Sequence, residues 1–322
     1  MNAGAVISLL MLILGTIGNA ISMVVLSRSR FRNLVSAVYL RYLTIVDLIV
    51  LYTGLLRKFI FFLLGIDIRW YYPAICGTHK WLTYVSLQCS AWIRIAFTIQ
   101  RLFCIWLPYG SRYRFTERAA RIKIFIATLF IVLLNSHMLY GHRVGFYAYV
   151  NDTVCVYVTN DYGDFFEMYW SVLDLCFYSA IPSVFMIIGN ILIVVKVLRS
   201  RKGIQRHSDS SSSNRTNGLS RNSKFSSMTI VLIMLNIFFV IFTSPSGILL
   251  IGMIYWETND NEILIWQLVD VFDVLSYLDN SLNFMLYCLS GSLFREEIIK
   301  LFCPRRRSIQ DVNESQEMHT KY

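Results

Sequence analysis

The chain has 322 residues, of which 56% are hydrophobic and only 16% charged, with a mean hydropathy of +0.52. A soluble domain carries about 45–50% apolar and 25% charged residues, so a water-soluble globule is excluded. The net charge of +10 would suit a nucleic-acid partner, but the bases border long apolar runs. They fit anionic lipid and a protein partner at a membrane face, and no nucleic acid.

Seven apolar runs follow in chain order: Ala5–Leu26, Val35–Leu56 with an extension to Leu64, Pro73–Trp106, Ile122–Tyr140, Phe166–Leu198, Met228–Tyr255 and Ile263–Leu289. Each is long enough to span about 30 Å of hydrocarbon as a helix, and the longer ones imply tilt or projection past the lipid. The reading is an all-α membrane protein, a seven-helix bundle over residues 1–303 followed by a tail at 304–322. Few residues precede the first run, which is expected to act as its own uncleaved signal unless the natural start lies further upstream.

Orientation follows from the bases. The loop after the first run holds Arg28, Arg30 and Arg32, and the third loop Arg112, Arg114, Arg118, Arg121 and Lys123. The fifth loop holds Arg199, Arg201, Lys202, Arg206, Arg215, Arg221 and Lys224, and the tail ends in a further basic group. The opposite loops carry Asp152, Asp161, Asp164, Glu257, Asp260 and Glu262, with Arg69 and Arg143. The positive-inside rule then puts the N-terminus outside and the C-terminus in the cytoplasm.

That topology sorts the remaining features. Of seven cysteines, Cys76 and Cys155 alone fall on the oxidising outer face and are expected to pair. Cys89, Cys104, Cys176 and Cys288 lie inside spans as small packers. Cys303 follows a short amphipathic segment and precedes three arginines, which suits S-palmitoylation, the alternative being an unmodified thiol. Asn151-Asp152-Thr153 lies outside and is expected as a glycosylation acceptor; the patterns at Asn214 and Asn313 lie inside and are set aside. Residues 146–158 alternate apolar and polar, as in a hairpin turning near Asn151. The polar, serine-rich stretch Ser200–Lys224 reads as a disordered cytoplasmic loop whose serines, with Ser308 and Ser315, could accept phosphate.

The motifs within the runs carry a resemblance. Gly18-Asn19 stands in the first run and Leu43-Thr44-Ile45-Val46-Asp47-Leu48 in the second. Cys76 opens the third run and Arg101 lies near its other end, about 37 Å away along a helix. Arg101 stands in Gln100-Arg101-Leu102, with Pro108 seven residues on. Pro182 lies in the fifth run, Phe242-Thr243-Ser244-Pro245 in the sixth, and Asn283-Phe284-Met285-Leu286-Tyr287 in the seventh. This set resembles the rhodopsin-like (class A) G-protein-coupled receptors over all seven spans. The segment from Asn283 to Arg295 is similar in form to invertebrate neuropeptide receptors of the FMRFamide group.

The resemblance implies a fold, partners and roles. A short helix over 291–302 should lie on the membrane surface. Asp47, Ser90, Asp279 and Asn283 should form a central polar pocket, which in the family binds an allosteric sodium ion; no other cofactor is implied. Arg101, Pro108, Pro245 and Tyr287 should form the switch that docks a heterotrimeric G protein, with arrestin as a further partner. Several positions depart from the family pattern. Gln100 replaces the acid that restrains the arginine, Thr243 the tryptophan of the sixth helix, and Phe284 the proline of the seventh. The fourth helix lacks its usual tryptophan. Arg94 stands where an apolar residue is usual, and a mid-span charge needs a partner, with Asp47 or Asp279 in reach.

No metal cluster, phosphate-binding glycine loop or nucleophile elbow is present, so an enzyme is not indicated. Amine receptors have an aspartate where this chain has Thr83, and opsins a lysine where it has Tyr277. What remains is an outer mouth with Asp174 and Asp273 facing a cavity beside Tyr84, Trp170 and Tyr277, and with Glu167, Glu257, Asp260 and Glu262 around it. Acids among aromatics suit a cation, so a basic, amidated extracellular peptide is expected. Lys58, with Arg57, is placed either to neutralise Asp273 or to receive an acidic ligand group. Two alternatives stay open: a receptor-like protein that signals constitutively or not at all, and a seven-span channel or transporter, which the lack of inverted repeats disfavours.

Overall fold

The computed structural model describes residues 3–32, 34–106, 116–147, 152–208, 216–255 and 262–302. Among the described residues, eight long helices and one hairpin follow in order: α1 (Ala3–Leu26), α2 (35–64), α3 (Pro73–Trp106), α4 (Glu117–Leu134), the strands β1 (His142–Tyr147) and β2 (Asp152–Tyr157), α5 (160–208), α6 (Thr216–Tyr255), α7 (262–290) and α8 (Ser292–Phe302), with single helical turns between some of them. The first seven pack as a bundle. The hairpin covers one end and α8 lies at the other.

The bundle has its polarity turned outward-in, as a bilayer requires. Leu10, Leu14 and Ile17 of α1, and Phe125, Phe130 and Leu133 of α4, are exposed. Asn19, Asp47, Gln88, Arg94, Asn236 and Asn283 are buried. Apolar side chains cost nothing against lipid tails, whereas polar ones need partners inside the bundle. Four of the helices, in α1, α4, α5 and α6, are long and apolar enough to cross a membrane on their own. The others carry the buried charges that α2, α3 and α7 bring to the middle.

Two helix starts lie earlier than the apolar runs, because caps rather than hydropathy set them. Thr116 Oγ1 accepts from the Ala119 N–H, so α4 begins at Glu117 rather than Ile122. Thr159 Oγ1 accepts from the Tyr162 N–H, so α5 begins at Asn160 rather than Phe166. Each hydroxyl satisfies one of the N–H groups that a helix start leaves orphaned. The segment expected to be disordered is corrected in part. Helix α5 continues through Ser208 and α6 resumes at Thr216; no proline interrupts the intervening sequence, and only 209–215 lies outside the described residues.

Widened π turns interrupt two helices, at Leu51–Leu55 in α2 and at Phe165–Trp170 and Leu175–Ala180 in α5. The last directly precedes Pro182. A proline has no N–H to continue the ladder, and the wider turn absorbs the mismatch. Helix α7 breaks at Tyr277 and again at Leu282 (φ −94°, ψ 0°), although Phe284 stands where the family has proline.

At the α8 end, aromatic rings tie the elements together. Phe294 of α8 lies with its ring centre 5.3 Å from Tyr287, 6.2 Å from Phe284 and 6.4 Å from Phe31. Tyr39 of α2 stacks on Phe97 of α3 at 5.7 Å. Arg28 and Arg30, two of the loop bases, face α8: both reach the buried Glu297, at 3.5 Å, and Arg30 also meets Glu296.

Candidate functional site

A cavity of about 400 Å³ opens beneath the hairpin, walled by α2, α3, α5, α6, α7 and the turn at Ile68–Trp70. The hairpin is pinned above it by the Cys76–Cys155 disulfide, Cα to Cα 5.6 Å. Cys155 pairs with Val144 in the antiparallel register. Asp174, Asp273, Thr83, Tyr84 and Tyr277 all line the cavity, joined by Tyr178.

Two residues placed in that wall from sequence are elsewhere, for identifiable reasons. Trp170 is buried outside the lining, its ring 4.2 Å from that of His137, in a cluster with Met138 and Phe166; the widened turn at Phe165–Trp170 sets its direction. Lys58 is turned to α7, with Nζ 2.8 Å from both Asp270 and Asp273. It neutralises Asp273 rather than facing a ligand.

The wall is also more basic than the acids suggest. Arg57, Arg69 and Lys80 line it. Asp67, in the turn between α2 and α3, holds the first two. Its carboxylate accepts from the Arg69 N–H at 3.0 Å, from Arg69 Nε at 2.9 Å and Nη2 at 2.6 Å, and from Arg57 Nη1 at 3.0 Å. Burial alone would raise the Asp67 pKa; the bonds and charge of Arg69, with Arg57, outweigh it and hold the group down at about 2. Lys80 has no ion-pair partner among the described residues and sits 5.4 Å from the ring centres of Tyr157 and Phe166. Asp174 likewise has no cationic partner among the described residues; its Oδ1 accepts from Gln88 Nε2 at 2.7 Å, and Asn135 Nδ2 donates to Gln88 Oε1 at 2.8 Å. Beside the cavity, burial and the Lys80 charge push His142 of β1 down to about 4, and burial and Glu167 push Tyr157 of β2 up to about 12.

Midway along the bundle, Asp47 is fully buried. It accepts from Asn280 Nδ2 at 2.7 Å, from Ser90 Oγ at 3.1 Å and from Asn283 Nδ2. The Arg94 guanidinium lies in the same cluster, 2.6 Å from Asp279 and 4.0 Å from Asp47. A second polar bridge lies nearer α8: Asn236 Nδ2 of α6 donates to Thr98 Oγ1 of α3 at 3.0 Å and to Asn190 Oδ1 of α5 at 2.9 Å. Close to the α8 end, Arg101 is buried, donates to Ser36 Oγ, and has its guanidinium 5.5 Å over the Phe97 ring. Gln100 donates to Cys104 Sγ at 3.3 Å. Tyr287 is buried beside Phe294, and Pro245 lies within α6.

Residues 18–287 match the sequence family described as 7 transmembrane receptor (rhodopsin family). The chain is a member of the rhodopsin family of seven-transmembrane receptors. No individual curated protein matches it.

Some expected features of this receptor fall outside the described residues: Pro108, the acceptor Asn151 and Cys303, together with Glu257 and Asp260. Others were missed in the sequence and are structurally central. Asn280 stands next to Asp279 in a polar run, and a helical reading placing Asn283 and Asn280 one turn apart would have put both beside Asp47. Asp67 gave no such signal, because nothing in a short loop sequence marks which residue turns inward to bind two arginines.

Proposed function

We propose that this receptor sits in the plasma membrane with its N-terminus and hairpin outside, binds an extracellular peptide in the cavity under the hairpin, and passes the signal to a heterotrimeric G protein at the α8 end. The observation that carries the ligand reading is Asp174: a cavity-lining acid, flanked by Tyr84, Tyr178 and Tyr277, with no cation to neutralise it among the described residues. A half-buried acid of this kind is favourable once a ligand supplies the charge, and the tyrosine faces add cation–π attraction. A cavity of about 400 Å³ takes the end of a peptide, not a folded domain. Its cationic group goes to Asp174, and Lys80, Arg57 and Arg69 leave room for a carbonyl or acidic group on the opposite wall. The form of the 283–295 segment, which resembles that of invertebrate neuropeptide receptors, favours an amidated neuropeptide.

The test is G-protein dissociation in cells expressing the full chain, across a panel of amidated neuropeptides. Asp174→Asn should lower the potency of the active peptide about 10- to 100-fold, the worth of a charge-assisted contact of about 1.5–3 kcal/mol. Arg101→Ala should abolish the signal while leaving peptide binding. Unchanged potency in Asp174→Asn would refute the assignment of the cation. A second reading, signalling without ligand, is favoured by Gln100, which carries no charge to restrain Arg101; a high basal signal lost in Arg101→Ala would establish it.

A further inference from the structure

The middle of the bundle buries two carboxylates, Asp47 on α2 and Asp279 on α7, 0% and 2% exposed. Such a pair can stay ionised only beside a cation. The resemblance implies sodium, and the geometry disagrees. We infer that the guanidinium of Arg94 is the resident counter-ion of this cluster, and that the pocket takes no metal ion.

Three observations carry the inference. The first is position. Arg94 is fully enclosed, its Nη1 donates to Ser90 Oγ at 2.6 Å, its Nη2 lies 2.6 Å from Asp279 Oδ2 and 4.0 Å from Asp47 Oδ1, and its charge rests 5.3 Å from the centre of the Phe239 ring. It occupies the space between the two acids.

The second is the donor set around Asp47. A hard cation binds oxygen lone pairs, several at once. Asp47 instead already receives three hydrogens: Oδ1 accepts from Asn280 and Ser90, and Oδ2 from Asn283. Turning either amide over would set its oxygen against the carboxylate. Ser90 gives its hydrogen to Asp47 and accepts from Arg94, so its lone pair also faces a donor.

The third is redundancy. With the guanidinium in place, a metal ion would have to enter beside a fixed positive charge in a low-dielectric interior, where like charges repel strongly. Arg94 therefore ties α3 to α7 through Asp279, and to α2 through Ser90 and Asp47, using a cation that cannot leave with a change in salt.

The experiment reads thermal stability alone, so it neither needs a ligand nor depends on the proposed signalling role. The purified full chain is melted in sodium chloride and in choline chloride at matched ionic strength. The two melting temperatures should coincide. A saturable rise specific to sodium, abolished by Asp47→Asn, would overturn the inference. Arg94→Leu should lower the melting temperature by roughly 5 °C, because it strands a buried acid, and adding Asp279→Asn should restore much of that loss. If the double variant instead falls by the sum of the two singles, the pairing is wrong. Should Arg94→Leu not accumulate folded, the double variant decides: its accumulation supports the stranded acid as the cause, and its failure overturns it.

Discussion

Asp67→Asn isolates the charge of one side chain while keeping its shape. The asparagine oxygen can still accept from the Arg69 N–H, but the two guanidinium groups of Arg57 and Arg69 lose their shared anion. Asp67 is 3% exposed, so solvent screens the ion pairs little. Its folded pKa of about 2 lies below the ordinary 3.8. A depressed carboxylate contributes stability that is present above the unfolded value and is lost as pH falls through the folded one, here between about pH 4 and 2. At pH 7.4 the whole contribution is in force, about 2.5 kcal/mol for a displacement near two pH units. That corresponds to a fall in melting temperature of about 4 °C for a chain of 322 residues. The assay is a thermal melt of purified wild-type and Asp67→Asn protein at pH 7.4. A variant melting together with the wild type would refute the reasoning: the clamp would then be a set of contacts whose desolvation cancels their attraction. The freed arginines would also raise the positive charge of the cavity wall, so a cationic peptide should bind Asp67→Asn more weakly.

Cys155→Ser should destabilise the receptor by about 4.5 kcal/mol on the loop-entropy scale, given a separation of 79 residues; equal melting of the variant and the wild type would contradict it. Gly54→Ala should cost about 1–3 kcal/mol, because a Cβ there collides with the Tyr277 ring, and it should be read as a lowered yield of folded protein. His142 is buried, with its folded pKa near 4 against an ordinary 6.5. The unfolded chain therefore binds the extra proton first, and stability should fall as pH drops from 6.5 towards 4. At pH 5 the loss is at most about 2 kcal/mol. Replacing His142 by Phe should flatten that part of the melting-temperature profile.

How much of this was legible in the sequence varied with the kind of signal. The spans were, because a run of twenty apolar residues has one physical reading, and so was the pairing of Cys76 with Cys155. Helix starts at α4 and α5 were not, since single hydroxyls at Thr116 and Thr159 decide them. Direction within a helix was legible only where the turn is regular. Asp174, in the regular turn Ser171–Asp174, could be aimed into the bundle by counting, whereas Trp170 lies within the widened turn Phe165–Trp170. Asp279 could be paired with Arg94 because few partners lie within reach of a mid-span charge. The basic wall of the cavity was not foreseeable, since it depends on how the short turn around Asp67 folds back between two helices.

The bridge from Asn236 to Thr98 and Asn190 has a consequence for solvent. Both hydrogens of the Asn236 amide are spent on neighbours in α3 and α5, in a region that apolar side chains otherwise fill. Any motion that withdraws α6 from α3 strands the hydrogen bonded to Thr98, and neither lipid nor the surrounding leucines can receive it. Water has to enter as the helix leaves. The separated arrangement is thus the wetter one, and osmotic pressure from a solute too large to enter the bundle acts against it as directly as an inhibitor would.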